Sequence, residues 1–201
     1  MKNIFKLFMV TMLLVLSSNY IKAQTYCTTG MYTTGCSDND YFSAFNFGTI
    51  NQTGLTCLTG AQGYSDYTST SVTFIPGNTY SIGGTTVYGS DEDVEVWIDF
   101  NDDGTFDNTT EMVYSNLTGF GSFTGNVTIP VSATPGTHRM RVRLEFAAST
   151  TFDACSSVTF GNVNDYTAII TPLSSPYFVV SPASNNFNCL SASLKLINYH
   201  I

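Results

Sequence analysis

From Val94 to Phe100 the side chains change character at every step: Val94, Val96, Ile98 and Phe100 fall on one side, Glu95, Trp97 and Asp99 on the other. The segment Arg139 to Phe146 repeats the pattern, with Met140, Val142, Leu144 and Phe146 alternating with Arg139, Arg141, Arg143 and Glu145. A period of two is that of a strand with one buried face. Shorter stretches at 72–75, 79–82, 123–129 and 166–170 share the β-branched and aromatic character of strands. Pro76-Gly77-Asn78 and Thr134-Pro135-Gly136-Thr137 supply turn residues between them. After residue 23 no segment keeps helical spacing, so the pattern predicts an all-β fold, an antiparallel β-sandwich of jelly-roll or immunoglobulin-like type.

The first 23 residues read differently. Lys2 and Lys6 give a basic start, Leu7 to Leu16 is almost wholly apolar, and Ala23 is a small residue before Gln24. Together they predict a cleaved signal-peptide helix over 1–23, since the apolar run is too short to span a bilayer. Cys27 lies beyond the expected cleavage point, so a lipoprotein anchor is not indicated. The sandwich is expected over 24–171. Residues 172–201 open on a Pro- and Ser-containing linker and continue as the truncated start of a second β module or a disordered tail.

Composition narrows the function classes. The 201 residues hold 15 acids against 7 Lys and Arg, which disfavours nucleic acid as a partner. Loss of 1–23 would remove three lysines and no acid, leaving 15 acids against four basic residues, a net charge of −11. Hydrophobic content of 43% with 15 Phe and 12 Tyr is enough for a core and excludes global disorder. The five cysteines all follow the signal segment, where an exported chain meets oxidising conditions. Four cysteines permit three pairings. The reading favours Cys36 with Cys57, closing a local loop, and Cys27 with Cys155, tying the start of the domain to its end, with Cys189 left odd.

The acids are not spread evenly: 9 of the 15 lie between Asp91 and Glu111. Within that stretch, Asp99-Phe100-Asn101-Asp102-Asp103-Gly104-Thr105-Phe106-Asp107 places oxygen donors at alternate positions and Gly at the sharp turn, as the first nine positions of a calcium loop require. The twelfth position is Thr110, with Glu111 one place late, and the flanks are strands, so a helix-loop-helix hand is excluded. Hard oxygen ligands with no soft ligand nearby suit Ca2+. Asp99, Asn101, Asp103 and Asp107 would offer side-chain oxygens, Thr105 its carbonyl and Glu111 a closing carboxylate. The competing explanation is an acidic hairpin tip in which Asp and Asn cap turns without metal.

Several ordered segments resemble the GEVED domain family: Val96 to Phe106, His138 to Arg143 and Phe160 to Thr167, with Tyr26-Cys27 and Gly63 to Thr68 fitting as well. The resemblance runs from about Tyr26 to Ile170. It implies a β-sandwich module of secreted bacterial proteins, extracellular or at the cell surface, often found beside metalloprotease, immunoglobulin-like and sorting segments. Its implied role is accessory or adhesion-type binding of an extracellular glycan or protein, without catalysis. The alternative is a non-catalytic fragment of a secreted hydrolase. The name-giving motif is altered here to Gly161-Asn162-Val163-Asn164-Asp165, two carboxylates having become amides.

Arg139, Arg141 and Arg143 share one strand face. They are expected to pair with acids on a neighbouring strand, with Asp165, Glu95 and Asp99 as candidates, in preference to forming a stripe for an anionic ligand. Trp97 is expected to pack against the second sheet. HExxH and GxSxG are absent from the sequence, and no catalytic residue is nominated.

Overall fold

The computed structural model describes residues 24–57 and 63–173. The expected signal peptide and nearly all of the expected linker and tail, Cys189 included, lie outside the described residues. Ten strands are described: β1 (Tyr32–Gly35), β2 (Phe42–Phe47), β3 (Ile50–Thr53), β4 (Tyr64–Phe74), β5 (Thr79–Ser90), β6 (Glu92–Ile98), β7 (Met112–Asn116), β8 (Phe120–Thr128), β9 (Gly136–Phe146) and β10 (Val158–Ile170). They form two packed sheets, the all-β sandwich that the alternation implies. One sheet runs β1-β10-β9-β6-β7, with β4 also on β10, and the other runs β3-β2-β5-β8.

Register explains why β6 and β9 sit together. Val94 lies opposite Leu144, Val96 opposite Val142 and Ile98 opposite Met140, so apolar pairs line the face toward the second sheet. Glu95 opposite Arg143 and Trp97 opposite Arg141 line the other face. The second sheet answers with Phe42, Phe45, Phe47, Ile82 and Phe123, and the inter-sheet core is strongly aromatic. Phe45 stacks on Tyr166 at 5.2 Å and Phe47 meets Phe74 at 4.7 Å between centroids. At Gly125 a Cβ would come 2.5 Å from the Tyr114 ring, so glycine makes room for that aromatic.

Pairing is antiparallel except along one edge of β10, where β1 and β4 both run parallel to it. β4 extends far beyond the 72–75 stretch that its sequence marks, because β10 pairs with it in two blocks on either side of an irregularity between Asp165 and Thr167.

The outer face of the six-stranded sheet is covered, although no third sheet of the described residues lies there. Residues 24–31 and the β9–β10 connection fold over it. Trp97 packs there with Phe152 and Ala154, and Met31 and Tyr32 pack with Val163. Trp97 therefore does not meet the second sheet as expected. It points the opposite way, fully buried, with its ring 6.0 Å from Phe152 and its Nε1–H donating to Asn108 Oδ1 at 2.9 Å. Disulfides join Cys27 to Cys155 across this cover and Cys36 to Cys57 beside the start of β2.

Candidate functional site

The β6–β7 connection begins at Asp99, whose side chain follows Glu95 and Trp97 onto the outer face and is fully buried. One carboxylate oxygen accepts the Asp103 N–H at 3.2 Å. The other accepts the Gly104 N–H at 3.0 Å and the Tyr26 hydroxyl at 2.7 Å. Asn101 Oδ1 also accepts the Asp103 N–H, at 2.8 Å, and Asp103 Oδ1 accepts the N–H and hydroxyl of Thr105. Asn101 and Asp103 thus fold the backbone two residues ahead of them, the usual use of Asp and Asn in tight loops, while Asp99 holds the loop four and five residues on. Gly104 takes φ +86°, a left-handed conformation that side chains rarely adopt.

Asp107 serves a different purpose. Its Oδ1 accepts the N–H groups of Thr109 and Thr110, both at 2.8 Å, and these bonds hold its carboxyl below the usual range. The turn so capped closes with the Glu111 N–H donating to the Asp107 carbonyl at 3.0 Å. One compact turn absorbs the residue by which Glu111 is late and swings its carboxylate back over the loop.

Glu111 is only 2% exposed. Its Oε2 accepts the Asp107 N–H at 2.9 Å, while Oε1 is sealed from solvent with no hydrogen-bond partner. Burial raises its pKa, and the negative fields of Asp99 and Asp103 add to the rise against the opposing N–H groups of Asp107 and Asn101. Of the six nominated residues, the fold brings Asp99, Asn101, Asp103 and Glu111 toward one another, keeps Thr105 on Asp103 and uses Asp107 as a turn cap. Among the described residues no three of His, Cys, Asp and Glu form a metal-ligating group. A cation here would therefore also draw on amide and backbone oxygens.

The sequence reading missed the support on which this loop rests. His138, fully buried at its side chain, places Nδ1 3.0 Å from both the Asp99 carbonyl and Asp102 Oδ1, and Nε2 2.8 Å from the Thr134 carbonyl. Its signals were its place at the start of the β9 alternation and at the head of the resembling segment His138 to Arg143, neither of which gave it a role.

The three arginines close the neighbouring surface. Arg141 is fully buried and grips Asp165 with two bonds, 2.8 and 2.9 Å, while Arg139 reaches the same carboxylate at 3.3 Å. Arg141 also donates to the carbonyls of Cys27 and Ala154. Arg143 holds the cover through the carbonyls of Asp153 and Ser156. Of the three acids expected as partners, Asp165 is the one engaged. Glu95 instead accepts from Ser115 and the Phe152 N–H, and Asp99 from Tyr26 and the loop, because the cover brings its own donors to them. These arginines are structural clamps between the sheet and its cover.

The strands that carry this arrangement, together with the loop, fall in residues 93–169, which match the model of the GEVED domain family. This stretch is a GEVED domain. No curated protein matches the chain. Among solved structures it is similar to a family 123 glycoside hydrolase from Clostridium perfringens, studied for glycolipid glycan hydrolysis. That similarity has 12% identity and a TM-score of 0.27, and it covers 58% of this chain and 24% of that one.

Within the GEVED domain the altered motif has a local reason. Asp165, kept, is the carboxylate clamped by Arg141. Asn162 is buried and donates its Nδ2–H to the Gly63 carbonyl at 2.8 Å, a bond that an ionised carboxylate cannot make. No helix of the described residues is long and apolar enough to cross a membrane, and the two disulfides fit an oxidising, extracellular setting.

Proposed function

We propose that this chain is a secreted accessory module of the adhesion type, binding an extracellular glycan or protein without catalysis of its own, and stabilised by Ca2+ in the β6–β7 loop. The observation that carries the calcium reading is the buried Glu111 carboxylate, in the field of Asp99 and Asp103 and beside the Asn101 backbone, with Oε1 sealed and lacking a well-aligned donor. A buried carboxylate oxygen without a donor is costly, and a hard cation satisfies it. Asp99, Asn101, Asp103 and Glu111 would supply oxygens, with the Thr105 carbonyl beside them. The non-catalytic reading is supported by how the reactive groups are committed: His138 and the three arginines are held in structural contacts.

Calorimetry in Ca2+ and in chelator tests the loop. A ligand at 100 times its dissociation constant stabilises by about 2.7 kcal/mol, which corresponds to roughly 5–10 °C in Tm for a chain of this size. The wild type should show such a rise, and the Asp103→Asn, Glu111→Gln double variant should show a clearly smaller one. Equal shifts in both proteins, or none in either, would overturn the loop site. A glycan and protein array then tests the binding role, which an absence of any specific ligand would count against.

A further inference from the structure

The two disulfides sit in different surroundings. Cys36 is buried at 3% exposure and Cys57 is half-buried. Cys155, on the β9–β10 connection, is exposed, while its partner Cys27 is half-buried. The arginines and the histidine of the described residues are all engaged away from Cys36 and Cys57. One of them is engaged at Cys27.

Arg141 divides its donors between a carboxylate and this disulfide. Its Nε and Nη2 donate to Asp165 at 2.8 and 2.9 Å, and Nη2 also reaches the Cys27 carbonyl. That leaves Nη1 to the sulfurs. It lies 2.6 Å from Cys27 Sγ, 3.6 Å from Cys155 Sγ and 3.5 Å from Met31 Sδ, with the Ala154 carbonyl at 3.1 Å. A neutral sulfur is a weak acceptor, so this contact contributes little while the disulfide is intact. A thiolate in the same position would be a strong, charge-assisted acceptor. The guanidinium therefore favours the state in which Cys27 carries the negative charge. A cation beside a cysteine in this way makes it a better leaving group in thiol exchange.

We propose that Cys27–Cys155 is a thiol-exchange site, opened by a dithiol that attacks the exposed Cys155 sulfur. The attacking thiolate forms a new S–S bond to Cys155 Sγ, the Cys27–Cys155 bond breaks, and its electron pair leaves on Cys27 Sγ against the Arg141 Nη1–H. The second thiol of the dithiol then displaces Cys155 and closes the dithiol's own disulfide. The dithiol is oxidised and the protein bond reduced; of the two protons released, one ends on Cys155 and the other in solvent. Opening unties residues 24–31 from the β9–β10 connection, the two parts of the outer cover, and leaves the contacts of the inter-sheet core in place. The inference is independent of the calcium and ligand readings.

Timed alkylation of the folded chain in dithiothreitol near neutral pH, read by peptide mass mapping, tests it. Any free thiol, that of Cys189 included, is first blocked with a different alkylating agent. Cys27 and Cys155 should be labelled while Cys36 and Cys57 remain joined, and equal or earlier opening of Cys36–Cys57 overturns the proposal. The Arg141→Gln, Asp165→Asn variant removes the cation without stranding a carboxylate, and should open Cys27–Cys155 roughly tenfold more slowly. A purely structural Arg141 predicts the reverse, because a loosened cover exposes the bond and speeds its reduction. In that variant, shown folded by circular dichroism, an unchanged or faster rate therefore also overturns the proposal. Cys155→Ser supplies a readout with Arg141 in place. Its Cys27 thiol should be alkylated with a pH midpoint below the ordinary value of about 8.5, and a midpoint at or above that value sinks the idea.

Discussion

The two faces of the β6–β9 pair are buried by different means. On the inner face Val94, Val96, Ile98, Met140, Val142 and Leu144 meet the aromatic side chains of a second sheet, and burial follows from stacking two apolar surfaces. On the outer face Glu95, Trp97, Asp99, Arg141 and Arg143 are just as buried, yet no sheet of the described residues faces them. They are enclosed by the 24–31 segment and the β9–β10 connection, which are held by a disulfide and by arginine bonds to backbone carbonyls. The inner face tolerates any shape-filling apolar neighbour, whereas the outer one depends on particular pairs. Damage to the first should scale with volume, and damage to the second with which partner is left alone.

The largest effect should come from the outer cover. Replacing Cys27 and Cys155 with Ala opens a loop of 128 residues, worth about 5 kcal/mol in the chain-entropy account, against about 3 kcal/mol for Cys36 and Cys57. Urea unfolding would rank the two. The comparison fails if the Cys36–Cys57 variant is the weaker protein. Close behind, Arg141→Ala should cost about 3–5 kcal/mol, because it removes the two-bond partner of Asp165, leaving it to Arg139 and Tyr64, and strands the cover's carbonyls in the interior. Phe45→Ala on the inner side should cost a similar amount through its cavity. The distinction lies in rescue: Asp165→Ala added to Arg141→Ala should recover part of the loss, while no single partner change should rescue Phe45→Ala. Strict additivity of the two outer substitutions would show that Asp165 does not depend on Arg141.

How much of this was legible follows the same divide. Alternation in β6 and β9 marks one apolar and one polar face, and Glu92 shares the apolar parity, so its burial was readable two residues before Val94. That the polar face is also buried was not readable. It depends on Cys27, Met31 and Phe152 arriving from far along the chain, and a strand's own residues carry no sign of what covers them. For the same reason Trp97 was expected against the wrong layer. β1 to β3 and β7 went unread because they are short and their apolar residues do not alternate, as with Phe42, Phe45 and Phe47 of β2, and the parallel seating of β4 on β10 is a long-range choice that local pattern does not encode. In the loop, the D-x-N-x-D-G spacing sets Asp99, Asn101 and Asp103 around one turn, but the turn that retasks Asp107 and returns Glu111 depends on three-dimensional capping.

The smallest expected effect belongs to the seam between the sheets. In chelator, Glu92→Gln should be more stable than the wild type by about 1–2 kcal/mol at pH 8, since it removes a buried carboxyl set against that of Asp40. Because the folded pKa of Glu92 is raised to about 9, the wild type loses stability progressively as pH climbs from the ordinary carboxylate range toward that value. The advantage of Gln should therefore shrink toward pH 5 and grow toward pH 9. An advantage that grows as pH falls would contradict the raised pKa.

The Cys27–Cys155 bond also decides how the molecule would bear tension. A pull applied between residues ahead of Cys27 and residues after Ile170 passes through the disulfide directly to Cys155 and then along β10. The chain between them, a sequence separation of 128 and roughly 430 Å when extended, lies off the line of force while the bond is intact. The load falls on β10 in shear, zipped to β9 along one side and to β1 and β4 along the other. Reduction of that one bond would turn a short, stiff strut into a long extensible tether.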